Sequence, residues 1–191
     1  MFSFDKPSPE LIEARMADLK DKPFSYQEVG QIRMSIPGGY NLDHHKVHLG
    51  NGQKVFDRSK QMLAEWRMME TGWTSIWPSK PPLSEGTVVS ILVSIMEIWV
   101  INIARIVCRV EESDSEKDMF GFAYGTLDQH VEKGEEQFLI TWDHKDDSVW
   151  FGIKAFSKPS SLLIWLGYPY VRFLQKRFAK DALAAFSRAV Q

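Results

Sequence analysis

Between Thr87 and Ser157 the chain runs as one extended stretch after another, broken by short polar turns, and this constrains the fold more than any other feature. Apolar and β-branched residues recur there with a period near two. That predicts strands near 87–96, 98–111, 119–126, 135–143 and 147–157. The acidic connector ESDSEKD, the segment WDHKDDS and the Lys133-Gly134 pair supply the turns. Strands that follow one another through hairpins pair antiparallel. One part of this run, Thr87 to Val107, is long enough to span a membrane as a helix. Glu97, Asn102 and Arg105 interrupt it, and a charge at a helix centre costs about 2.5–3.5 kcal/mol. Its valine and isoleucine content favours two buried strands, so no membrane span is expected.

The flanking segments complete the order. Ser8 as an N-cap and Pro9 at the first helical position predict a short helix over Pro9–Lys20, with Glu10 suiting its dipole. IPGGYN, Ile36 to Asn41, is turn chemistry, and divides a leader (1–36) from a single main domain (37–191). His44–Leu49 reads as a strand and Gly50–Gly52 as a turn. VFDRSKQMLAEWRMM has Val55, Ser59, Met62, Trp66 and Met69 at helical spacing. GWTSIW adds a further strand. The last third, from SSLLIWL onward, reads as helix with a kink or restart at Gly167 and Pro169. Beyond Pro169, Val171, Leu174, Phe178, Ala182, Ala185 and Ala189 form one stripe of a rod roughly 30 Å long. Strand, helix, six strands and a long helix make an α+β domain.

Alternation on the strands assigns an inner face. Val149, Phe151, Ile153 and Ala155 form one apolar set, and Phe138, Ile140 and Trp142 another that includes Glu136. Phe120, Phe122 and Tyr124 align, as do His45, Val47 and Leu49. Asn102, Ala104, Ile106 and Cys108 share a face opposite Arg105 and Arg109. Four polar residues therefore fall on apolar faces: His45, Asn102, Tyr124 and Glu136. Each could make a local hydrogen bond in a filled core, or fix a ligand's orientation in an apolar pocket.

Motifs with stronger chemistry are weak or missing. His44 and His48 share a strand face but lie about 13 Å apart, too far to chelate one ion, so no metal is expected. YGTLDQHVEKGEEQF gathers His130 and four carboxylates. Leu127–Gly134 reads as a hairpin connector, with Asp128, Glu132 and Glu135 expected in solvent. A catalytic version would pair His130 with Glu132 or Glu136, but no GxSxG nucleophile accompanies it, and Cys108 lies mid-strand. Phosphate-loop, dinucleotide and HExxH motifs are missing, and no cofactor is expected. A net charge of −2 gives no case for nucleic acid. The basic helix face at Arg172, Lys176 and Lys180 reads as solvated, with peripheral membrane contact as the other reading. The single cysteine and the start MFSFDKPSPE, which lacks secretory character, lead to a cytoplasmic expectation.

DHHKVHLGNG, RMMETGW, FGFAYGTLDQHVEKGEEQF, SVWFGIKAFSKP and LGYPYVRFLQKRFAKDALAA together resemble the domain-of-unknown-function family nineteen-ninety, nearly end to end from about Tyr26. The element order is also similar to the helix-grip fold of the Bet v 1 and START-related superfamily. That resemblance implies a curved antiparallel sheet of about seven strands wrapped on a long C-terminal helix, around an apolar cavity. One longer helix stands here where that fold has two short ones. The implied function is binding of an apolar or amphipathic, lipid-like small molecule. Phe122, Phe138, Trp142, Val149, Phe151 and Ile153 would be wall, and His45, Asn102, Tyr124 and Glu136 anchors. An enzyme using His130 or His45 with Glu136, and an interaction module with a solid core, are the alternatives.

Overall fold

A computed structural model describes residues 2–161 and 167–191. In chain order the elements are β1 (Phe2–Ser3), α1 (Pro9–Leu19), a 3-10 turn (Gln31–Arg33), β2 (Asn41–Asn51), α2 (Gln53–Ala64) and a second 3-10 turn (Arg67–Met69). There follow β3 (Thr74–Trp77), β4 (Val88–Ile95), β5 (Ile98–Ser113), β6 (Lys117–Thr126), β7 (Glu132–Asp143), β8 (Ser148–Pro159) and α3 (Tyr168–Val190). Of the helix expected from Ser160 on, residues 162–166 lie outside the described ones.

The sheet order is β2-β8-β7-β6-β5-β4-β3, every neighbouring pair antiparallel, with β1 beside the start of β5. β2 and β3 are close in sequence yet occupy opposite edges, so α2 and its following turn cross between them. The sheet is curved, and α3 packs across its inner face against α2, the second 3-10 turn, β2 and β8. This is the α+β helix-grip arrangement.

Local sequence explains most of these elements. The Ser8 hydroxyl accepts from the Leu11 N–H at 3.3 Å and caps α1, with Pro9 in its first turn. Two expectations fail for tertiary reasons. The helix predicted through Met69 stops at Ala64, because Trp66 turns left-handed (φ 57°). Its indole then lies buried in the core and donates to the Pro81 carbonyl at 2.9 Å. In β5 a bulge separates Ile106 from Cys108 and reverses the alternation beyond it. Cys108 therefore leaves the face of Ala104 and Ile106, and packs on the outer side near Tyr26, Ile32, Ala123 and Phe156. Arg109 pairs with inward-facing Phe122, on the opposite side from Arg105.

The leader covers the outer face. Ile12 and Leu19 of α1 pack on Leu92, Ile101, Ile103 and Leu127. Further on, Tyr26 and Ile32 pack on Ala123 and Phe156. The anchor is Glu135, which accepts from the Tyr26 hydroxyl at 2.7 Å, the Gly30 N–H at 2.5 Å and the Ile32 N–H at 3.0 Å. Glu135 was expected in solvent; it is 3 % exposed, because those three donors replace its water.

Between the sheet and α3 the interior divides into a filled end and a hollow end. At the filled end Phe186 of α3 stacks on Phe151 at 4.0 Å, and the rings of Phe138, Phe122 and Trp66 continue the packing. Ala182 and Val190 of α3 close that end. The first half of α3 lies over the hollow one.

Candidate functional site: a cavity beneath the C-terminal helix

The hollow is a cavity of about 610 Å³. Its apolar wall comes from Ile91, Val93 and Ile95 of β4, from Ile98 and Val100 of β5, and from Val171, Leu174 and Phe178 of α3. The register explains this grouping. Ile91 is paired with Asn102 and with Ile76, Val93 with Val100, and Ile95 with Ile98, so these side chains share one face. Met96 and Tyr170 also line the cavity and are exposed, 86 % and 52 %, so apolar side chains continue from its wall to the surface.

The other side is polar. Asp43, Ala155, Glu136, Tyr124 and Ile106 form one cross-strand row over β2, β8, β7, β6 and β5. The Tyr124 hydroxyl donates to Glu136. Four residues earlier on the same face of β7, Glu132 accepts from the Ser157 hydroxyl at 3.1 Å and from the Gln175 amide. Gln175 also donates to Ser157 at 3.0 Å. One turn back on α3, Arg172 grips Asp43 through both carboxylate oxygens, at 2.5 and 2.7 Å. These bonds fasten the first half of α3 to β2, β7 and β8 without filling the space beside it.

Burial sets the charges. Glu136 is pushed up to about 7 by desolvation, which outweighs its bond from Tyr124, with a smaller upward push from Glu132 and Asp43. Glu132 is likewise pushed up to about 7 by desolvation, against the opposing bonds from Ser157 and Gln175. Burial pushes His130 down to about 4, so its imidazole is neutral. Its Nδ1 accepts from the Glu132 backbone N–H at 3.1 Å, which leaves the hydrogen on Nε2.

A pH-dependent stability follows. Between the ordinary value of 4.5 and the folded value near 7, folded Glu136 binds more protons than unfolded Glu136. Its contribution to stability is therefore full below 4.5 and declines as pH rises to 7. Glu136→Gln removes that loss and keeps an acceptor for Tyr124. We expect the variant to match the parent near pH 4 and to exceed it by about 2–3 kcal/mol at pH 8, measured by urea unfolding. For the helix clamp, Arg172→Ala is expected to cost about 2 kcal/mol, since Asp43 is left partly buried without its cation. Hydrogen exchange should then speed selectively in the first turns of α3.

Of the residues singled out from sequence, His45, Asn102, Tyr124, Glu136 and Ile153 line the cavity. Phe122, Phe138, Phe151, Val149 and Trp142 do not. The first four are 0 % exposed and belong to the filled end; they have the right face of the sheet but the wrong end of it. Trp142 lies beyond them against Phe56 and donates its indole N–H to Asp147 at 2.9 Å. Glu132, expected in solvent, is 7 % exposed, because β7 starts two residues before Gly134 and carries it inward. Neither His130 nor His45 bonds Glu136; among the described residues its hydrogen-bond partner is Tyr124. Arg172 is engaged with Asp43 rather than offered to solvent, whereas Lys176 and Lys180 are exposed. Asp43, Ser157 and Gln175 were not anticipated. Asp43 could have been found by carrying the His45 alternation back two residues. Gln175 has no sequence signal, since only the approach of α3 to β7 gives it a role. Among the described residues no group of three or more His, Cys, Asp and Glu could hold a metal ion. No helix among them is long and apolar enough to cross a membrane.

Comparison with known proteins places these features in context. The model of a family described as Domain of unknown function (DUF1990) matches residues 25–185. A UPF0548 protein of Dictyostelium discoideum is 30% identical over 207 aligned residues, covering 100% of this chain and 96% of its own. One from Arabidopsis thaliana is 34% identical over 154, covering 80% and 74%. Among solved structures, a hypothetical protein from Helicobacter pylori overlays with a TM-score of 0.56 at 11% identity, over 83% of this chain and 94% of that one. That likeness bears on fold alone. The Bet v 1-like protein Ara h 8.0201 has a TM-score of 0.45 at 10% identity, over 80% and 98%. The START protein human STARD10 also scores 0.45 at 10% identity, over 95% and 80%.

Proposed function

Since the chain belongs to the DUF1990 family, whose description names no activity, function has to be read from its own cavity, and we propose that it binds one amphipathic small molecule there. The observation that carries this reading is the cavity of about 610 Å³, largely apolar with a small polar patch. That volume lies in the range of small-molecule pockets, about 300–1,000 Å³. The apolar body of the ligand would lie along Ile91, Val93, Val100 and Phe178, where burial supplies the affinity at about 25 cal/mol per Å². Its polar end would meet Glu136, Asn102 and His45. The exposed side chains of Met96 and Tyr170 give an apolar ligand a continuous path from surface to wall. A solid-core interaction module lacks the hollow that this reading uses.

Calorimetric titration with decan-1-ol tests the proposal. The expected result is saturable one-to-one binding with a negative heat-capacity change, the mark of apolar burial. No saturable heat from a chain that unfolds cooperatively would overturn it.

A further inference from the structure

The polar side of the cavity has an electrical imbalance. Asp43, Glu132 and Glu136 face into it, and among the described residues that line it none is lysine or arginine. Arg172 is spent on Asp43, so that ion pair cancels, and above about pH 7 the carboxylates of Glu132 and Glu136 remain. Glu132 has its donors, Ser157 and Gln175. Among the described residues the hydrogen-bond partner of Glu136 is Tyr124, which serves one of its two oxygens. An independent feature of the same cavity points the same way. Asn102 is 5 % exposed, lines the wall, and its Oδ1 has no hydrogen-bond partner among the described residues. The unserved atoms are thus acceptors, and at Asn102 a buried acceptor without a donor costs stability. Both call for a ligand that brings hydrogens, and the surplus negative charge calls for one that brings a positive charge.

We propose that the ligand class is an amphipathic amine, whose protonated nitrogen donates to Glu136 while its hydrocarbon body lies along the β4–β5 wall. This rests on the reading of the cavity as a binding site and narrows it. A partly buried carboxylate with no lysine or arginine lining its cavity gains more from a bound ammonium than a fully solvated one does. A carboxylate headgroup would meet Glu136 and Glu132 as like charges. The groups that act on Glu136 are Tyr124 on β6, Glu132 on its own strand and Asp43 on β2; His45 and the neutral imidazole of His130 line the same cavity, and Arg172 on α3 is paired with Asp43.

The test compares decylamine, decan-1-ol and decanoate at pH 8 on the full chain and on Glu136→Gln. The amine is expected to bind about tenfold or more tighter than the alcohol, and decanoate more weakly than either. Glu136→Gln should cost the amine about tenfold or more and the alcohol far less, since the glutamine carbonyl still accepts from a hydroxyl, and cooperative urea unfolding of the same sample reports that the variant is folded. Amine affinity of the parent should rise from pH 6 to pH 8 as Glu136 loses its proton, and the alcohol's should change far less, because a hydroxyl gains no ion pair. An amine no tighter than the alcohol, or a preference that survives Glu136→Gln, overturns the amine assignment and leaves the cavity as a binding site. Failure of all three ligands overturns both.

Discussion

Ala155→Trp is expected to weaken decan-1-ol and decylamine binding by about a hundredfold or more, with the fold intact. Ala155 sits in the cross-strand row between Asp43 and Glu136 and lines the cavity. An indole on its Cβ projects into the space a ligand would occupy. A hundredfold loss is about 2.7 kcal/mol, which the loss of a ligand's apolar contact area accounts for readily. Overpacking in a dense core costs about 1–3 kcal/mol, but here the added ring enters a void. Thermal unfolding should therefore stay within a few degrees of the parent. Calorimetric titration and a melting curve on the same sample read both quantities. Binding that persists beside a folded tryptophan variant would place the ligand elsewhere.

Phe186→Ala is expected to have the largest effect on stability, about 3–5 kcal/mol lost. Phe186 is 0 % exposed, and its ring stacks on Phe151 where α3 seals the filled end. Its removal leaves a void among side chains that cannot collapse onto it, because Phe138 and Phe122 are held by their strands. The same truncation at Phe178, two turns earlier and beside the cavity, should cost much less, since Phe178 is half-buried and already faces space. Denaturant midpoints for the two variants measure the contrast. Equal losses would mean that α3 is packed uniformly along its length, and would remove the distinction between a filled and a hollow end.

The sheet was legible because period-two alternation persists over long strands with turn residues between them. Two departures were not, and both have physical reasons. In Ile103–Val110 both alternate sets contain apolar residues, so one inserted bulge residue at Val107 leaves no trace in the pattern. After Ala64 the helical spacing continues through Trp66 and Met69, and only the burial of the Trp66 indole against Pro81 breaks the helix. The resemblance to the helix-grip superfamily carried the expectation of a wrapped C-terminal helix, which alternation alone does not supply.

The candidate site was half legible. Alternation tells which face of a strand a residue takes, and so found His45, Tyr124, Glu136 and Ile153. It says nothing of distance along the strand relative to a crossing helix. Phe122, Phe138 and Phe151 therefore share the inner face with the anchors yet lie under the second half of α3, where Phe186 fills the space. The acidic run between Asp128 and Glu136 splits three ways in space. Asp128 stays in solvent, Glu135 turns outward to hold the leader, and Glu132 and Glu136 turn inward. Charged residues are read from sequence as solvated because most are; here cross-strand position overrides composition, and the carboxylates found within are held by bonds from Tyr124, Ser157 and Gln175.

Native mass spectrometry of the chain purified without detergent tests most directly whether the hollow beneath α3 holds a small molecule. The parent is predicted to carry one non-covalent adduct, or to take up one equivalent of added decylamine, while Ala155→Trp flies bare under the same conditions. A parent that stays at its bare mass with decylamine and decan-1-ol present, or a tryptophan variant that retains the adduct, would contradict the account.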